Sequence, residues 1–132
     1  MSADRAPLRV LVVDDDEDIC DVLAIMVTRF GHVADRACDG VEAVEALAEQ
    51  AYDVVLLDLM MPRMAGDDVL RWLQQHPEGR TDLRVVVATG SAEEHRASLE
   101  ALGAHAVVPK PLGLGELRDI LDGSGPGHVV AD

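Results

Sequence analysis

Aromatic residues are almost missing from this sequence: Phe30, Tyr52 and Trp72 are the only three in 132 positions. That excludes reading of single-stranded nucleic acid by base stacking, which needs a platform of rings. Basic residues are scarce as well, with 11 Lys and Arg against 25 Asp and Glu, for a formal net charge of -14. A surface of that sign repels phosphate backbones and anionic headgroups, and no basic cluster offsets it. Neither direct nucleic-acid binding nor a membrane partner is expected. No apolar run nears the roughly 18 residues a membrane span requires. The segment MSADRAPLRVLVVDDD lacks the basic region, apolar stretch and cleavage site of an export signal. Two cysteines in such a chain, Cys20 and Cys38, read as reduced thiols and not as a disulfide framework, so a cytoplasmic location is expected. Lysine is the rarest charged residue: ten of the 11 basic residues are Arg, and Lys110 stands alone. A compact ammonium and a planar guanidinium are not interchangeable, which makes Lys110 a candidate for a chemical role.

Aliphatic residues, by contrast, are plentiful. Val, Leu, Ile and Phe number 38, about 29 % of the chain, above the roughly 20 % below which highly charged chains stay disordered. The length suits one domain able to bury about two thirds of its unfolded surface. Leu8 to Val13 is a near-continuous β-branched run, the pattern of a strand covered on both faces. Ile19, Val22, Leu23, Met26, Val27 and Phe30 then recur at helical spacing, with Gly31 as the stop. His32 to Ala37 reads as a second strand. After an Asp39-Gly40 turn, Val41, Val44, Leu47, Ala48 and Ala51 share one helical face. Val54 to Leu57, Val85 to Ala88 and Ala106 to Val108 read as three further strands. Between and after them come helices marked by Val69, Leu70 and Leu73, by the capping-box pair Ser91 and Glu94, and by Leu114, Leu117 and Leu121. Strict βα alternation predicts an α/β fold: a doubly wound, five-stranded parallel sheet in the flavodoxin-like order 2-1-3-4-5, with helices on both faces. Residues 1–122 form the expected domain, and 123–132, containing GSGPG, a flexible tail or linker.

Polar residues interrupt this pattern at strand ends. Strand one ends in Asp14-Asp15-Asp16, strand three in Asp58, strand four in Thr89 and strand five in Pro109-Lys110-Pro111. The carboxyl ends of parallel strands share one edge, and the crevice between strands one and three is where sites form in such sheets. Acids at a helix start are favoured by its dipole, which accounts for Asp16, Glu17 and Asp18. Asp14 and Asp15 directly follow a buried strand. Three carboxylates from Asp14, Asp15 and Asp58 repel one another, and one ammonium does not balance them. A hard divalent cation does, and Mg2+ leaves room for a phosphoryl oxygen. A carboxylate beside Mg2+, a lysine and a hydroxyl is a workable phosphoryl acceptor.

The segments VLVVDDD, VVLLDLMMPRMAG, VVVATGSA and VVPKPL, in this order and spacing, resemble the receiver domain of two-component response regulators over about residues 8–122. The resemblance implies a signalling switch that catalyses only its own phosphorylation and dephosphorylation. Asp58 is then the acceptor, with a sensor histidine kinase or phosphotransfer protein as donor. It implies Mg2+ held by Asp15, Asp58 and the Met60 backbone carbonyl, with Asp14 acting through a metal-bound water. Lys110 would pair with the phosphoryl group, Thr89 would turn toward it, and Met60 and Ser91 would tune its lifetime. Lys110-Pro111 matches a cis peptide of the family. A downstream protein or output domain is expected at the face of the fourth helix, fifth strand and fifth helix. The sequence departs from the family at Val107, where an aromatic ring is usual.

Two other classes stay open at this level. A phosphohydrolase of the haloacid-dehalogenase type also uses an Asp nucleophile with Mg2+, but carries an acid where this chain has Met60. A module that binds partners without phosphorylation is the other. The five histidines show no metal-ligand spacing and read as surface residues. Asp67-Asp68 fits a helix start, and Trp72 a packed surface ring.

Overall fold

Runs of Val and Leu without polar alternation form strands that must be covered on both faces. The computed structural model describes residues 6–123; four largely apolar runs become β1 (Arg9–Val13), β3 (Val54–Asp58), β4 (Arg84–Thr89) and β5 (Ala106–Pro109), while β2 (Val33–Ala37), VADRA, carries Asp35 and Arg36 and is a partly exposed edge strand. They alternate with α1 (Glu17–Arg29), α2 (Gly40–Glu49), α3 (Gly66–Gln75), α4 (Ala92–Ala101) and α5 (Leu114–Asp122). Every strand pair is parallel and the order is β2-β1-β3-β4-β5, as the alternation predicts. Because side chains alternate across a strand, the sheet carries two cores. Leu11, Val13, Val55, Leu57, Val87 and Val107 pack beneath α2, α3 and α4. Val10, Val12, Val54, Leu56, Val86 and Val108 pack beneath α1 and α5. Gly123 closes α5 in the left-handed conformation; from residue 124 on, the expected tail lies outside the described residues. Among the described residues no helix is long and apolar enough to cross a membrane.

Three helices bury a different stripe from the one their periodicity suggests. In α1 the core takes Cys20, Leu23 and Val27, while Ile19 and Val22 face outward. The N-cap Asp16, which accepts from the backbone N–H groups of Asp18 and Ile19, fixes that rotation. In α2 the buried positions are Gly40, Ala43 and Leu47, and Ala48 and Ala51 are exposed. Asp39 is the N-cap here, not part of a free turn, and accepts from the Glu42 N–H. In α5 Ile120 replaces Leu114, which is exposed at the first turn beyond the edge of the sheet. Trp72 is half-buried, stacked on His76 with 4.4 Å between ring centroids and covered by Arg80.

The β3–α3 loop is pressed against its neighbours by two glycines. A Cβ at Gly40 would lie 2.1 Å from the Met64 carbonyl oxygen, and one at Gly66 would lie 2.5 Å from that of Asp58. Arg63 at the loop's apex is left-handed (φ 65°) and donates to the Asp39 carboxylate at 2.7 Å. Side chain and backbone therefore fix the segment that follows Asp58. Gly40→Ala should cost about 1–3 kcal/mol, the range for overpacking a filled site. Gly115→Ala, in the open first turn of α5, should be neutral or stabilising by up to about 1 kcal/mol. Urea unfolding of the two variants tests the difference in sign.

Candidate functional site

Four of the five parallel strands deliver a polar residue to one edge of the sheet. Asp14 follows the last residue of β1, Asp58 ends β3, Thr89 ends β4 and Lys110 follows β5. Positions 44, 75 and 96 residues apart in sequence from Asp14 are thus brought together. The Lys110 Nζ donates to Asp14 at 2.9 Å and lies 3.1 Å from Asp58 Oδ1. Asp14 also accepts from the Asp16 backbone N–H at 3.0 Å. Asp14 is 2 % exposed and Asp58 6 %, whereas Asp15 is exposed at the rim.

Burial pushes the Asp58 carboxyl above the ordinary aspartate range, and the Asp14 and Asp15 charges add to that; the Lys110 hydrogen bond opposes it without cancelling it. Burial disfavours the Lys110 charge, yet hydrogen bonds to Asp14 and Asp58 carry its pKa above the ordinary lysine value. One carboxylate oxygen from each of Asp14, Asp15 and Asp58 lies within 4.8 Å of the others. Three hard oxygen donors of one charge, two of them buried, fit a small divalent cation such as Mg2+ and no soft metal.

Around this centre, Met60 is 73 % exposed in the loop after Asp58. The Lys110-Pro111 peptide is cis, as the resemblance implies. Thr89 is 3 % exposed, and its hydroxyl accepts from the Ser91 backbone N–H at 3.3 Å. The Ser91 hydroxyl makes no helix cap, contrary to the capping-box reading, because it lies 3.1 Å from His95 Nδ1 and 3.5 Å from Thr89 Oγ1. Val107 is 2 % exposed, its side chain in the core with Ala92 and Leu99. Its carbonyl accepts from Arg96 at 2.8 Å. Sequence reasoning set His95 among surface residues and did not single out Arg96; the i, i+4 spacing of Ser91 and His95 was the available signal. It also missed the Asp39–Arg63 pair, for which only the helix-start position of Asp39 gave a hint.

Beside the acids, an apolar cleft of about 280 Å³ runs between α1 and the β5–α5 loop, with Val22, Met26, Leu56, Ala88 and Leu112 in its walls and Asp58 and Lys110 at one end. Ile19, Val22 and Ile25 stand exposed along the adjoining side of α1.

Comparison with known proteins agrees with this geometry. Residues 10–122 match the family model described as the response regulator receiver domain. The response regulator MprA of Mycobacterium sp. strain KMS is 41 % identical over 113 residues, 84 % of this chain and 47 % of that protein. The chain thus spans about half the length of the curated relatives it matches. The receiver domain of NtrX from Brucella abortus superposes with a TM-score of 0.77 at 31 % identity, covering 87 % of this chain and 96 % of that one. TrrA of Thermotoga maritima, solved in complex with Mg2+ and BeF, gives a TM-score of 0.77 at 27 % identity, covering 89 % and 98 %. The chemotaxis response regulator CheY4 of Vibrio cholerae gives 0.82 at 22 % identity over 90 % and 99 %, a likeness of fold alone.

The raised Asp58 pKa has a signed consequence for stability. Below the ordinary carboxylate pKa the group is protonated in both folded and unfolded chains, and it costs nothing. As pH rises from there to the raised folded value, the folded state resists ionisation, so the cost grows and is complete above that value. In metal-free buffer Asp58→Asn should therefore melt higher than wild type at pH 7, and the gain should fade on acidification. Melting curves from pH 3.5 to 7.5 test this; a variant less stable than wild type at pH 7 would refute it.

Proposed function

Since this chain belongs to the response regulator receiver domain family of two-component systems, we propose that it is a phosphorylation switch whose acceptor is Asp58. The observation that carries the reading is the convergence of Asp58, Asp14 and Lys110 within 3.1 Å contacts at a nearly closed strand edge. In the transfer, an Asp58 carboxylate oxygen forms a bond to phosphorus as the donor's phosphorus–nitrogen bond breaks. Lys110 is placed to neutralise a phosphoryl oxygen, and Thr89 offers a hydroxyl from the neighbouring strand end. Asp14, Asp15, Asp58 and the Met60 carbonyl would hold Mg2+, which supplies charge neutralisation of the equatorial oxygens. The Mg2+ and BeF of the TrrA structure support that assignment by similarity.

The donor has to reach Asp58 past α1. Ile19, Val22 and Ile25 make that approach apolar, which suits a helix of a histidine kinase or phosphotransfer protein. The signal leaves through α4, β5 and α5 to a downstream protein or an attached output domain. A cytoplasmic site of action follows from the kinase partner. Turnover of phosphomonoesters is not supported, since the position that would need an acid is the exposed thioether of Met60. Met60, exposed two residues after Asp58, and Ser91, two residues after Thr89, would tune phosphoryl lifetime, a role that rests on the family resemblance.

Incubation with Mg2+ and acetyl phosphate should add one phosphoryl group that is lost on treatment with hydroxylamine. Asp58→Asn should abolish it; modification of that variant elsewhere would sink the assignment. Asp15→Ala should weaken Mg2+ binding by more than about tenfold without lowering the melting temperature, and an unchanged Mg2+ titration would place the metal elsewhere.

A further inference from the structure

The residue that follows Thr89 by two positions connects it to α4. Thr89 Oγ1 accepts from the Ser91 N–H at 3.3 Å and lies 3.5 Å from Ser91 Oγ. Ser91 Oγ lies 3.1 Å from His95 Nδ1, which is also 3.1 Å from the Ser91 carbonyl oxygen. The next residue on the helix, Arg96, donates to the Val107 carbonyl on β5 at 2.8 Å and pairs with Glu93 at 2.6 Å. The first two turns of α4 are therefore tied to the end of β4 through a hydroxyl chain, and to β5 through a guanidinium. These ties sit where the chain has no ring: Val107 is aliphatic and its side chain stays in the core.

We propose that the Thr89–Ser91–His95 chain is a latch of the resting state, with His95 a positioning residue that holds Ser91 against the Thr89 hydroxyl. Arg96 anchors the same helix to Val107. This rests on Asp58 being the phosphoacceptor. When the Thr89 hydroxyl rotates to donate to a phosphoryl oxygen on Asp58, it leaves Ser91, and the hold on the first turn of α4 loosens. Coupling thus passes through side-chain hydrogen bonds on α4, with no movement of a residue at position 107. Reciprocity is required: any change that weakens a contact present only in the resting state must tighten binding of the group that breaks it.

The test is beryllofluoride titration in Mg2+, with amide hydrogen exchange of α4 recorded on the free protein. Ser91→Ala and His95→Ala should each bind beryllofluoride roughly three- to tenfold more tightly than wild type, the worth of one neutral hydrogen bond. Both should exchange faster at α4 in the free state. His95→Asn, whose amide can stand in for Nδ1, should return both readings toward wild type, which a general loss of helix stability would not permit. Unchanged or weaker beryllofluoride binding in either alanine variant overturns the latch alone. Failure of the wild type to bind beryllofluoride overturns the phosphoacceptor reading, and the latch with it.

Discussion

Everything at the working edge of this protein depends on one ammonium group shared by two buried carboxylates. Lys110 stands between Asp14 and Asp58 at 2.9 and 3.1 Å, and Asp15 adds a third negative charge at the rim. Removing two acids from water is costly, and a single positive charge offsets only part of it. The sheet tolerates this because the buried apolar runs of β1, β3, β4 and β5 supply stability elsewhere. The result is a centre that is short of positive charge when empty and favours whatever brings more. A divalent cation answers that shortfall directly, whereas a phosphoryl group, itself anionic, would deepen it and so would need such a cation and Lys110 beside it.

How Asp58 is held matters as much as its charge. Asp58 ends a buried strand, and the loop after it is clamped from two sides. Gly66 lies against the Asp58 carbonyl and Gly40 against that of Met64, while Arg63 reaches across to Asp39. A loop already held in one conformation incurs less ordering cost when one of its carbonyls is used as a ligand. The sites where side chains would clash are thus part of the preorganisation, although none of them is polar.

Strand order and the composition of the site were legible in the sequence because both rest on patterns that tertiary context does not override. Unbroken runs such as Val54 to Leu57 have one comfortable place in a parallel sheet, and the polar residues at their ends fall on one edge whatever the details. Helix rotation was less legible. In α1, Ile19 and Val22 fit the apolar period as well as Cys20 does, and the choice is made by the Asp16 cap and by packing on the sheet. Ser91 shows the same limit at the site: its spacing to Glu94 matches a cap, but His95 and Thr89 compete for the hydroxyl and win it. Local motifs name the groups available to a side chain, and only the fold decides among them.

Lys110 is the sole lysine in 132 residues. Isotope labelling with lysine alone therefore places its only side-chain ammonium signal at the convergence of Asp14 and Asp58. Any change in the charge around Asp14 and Asp58 can be followed on that one resonance in this 132-residue chain, without assigning the spectrum.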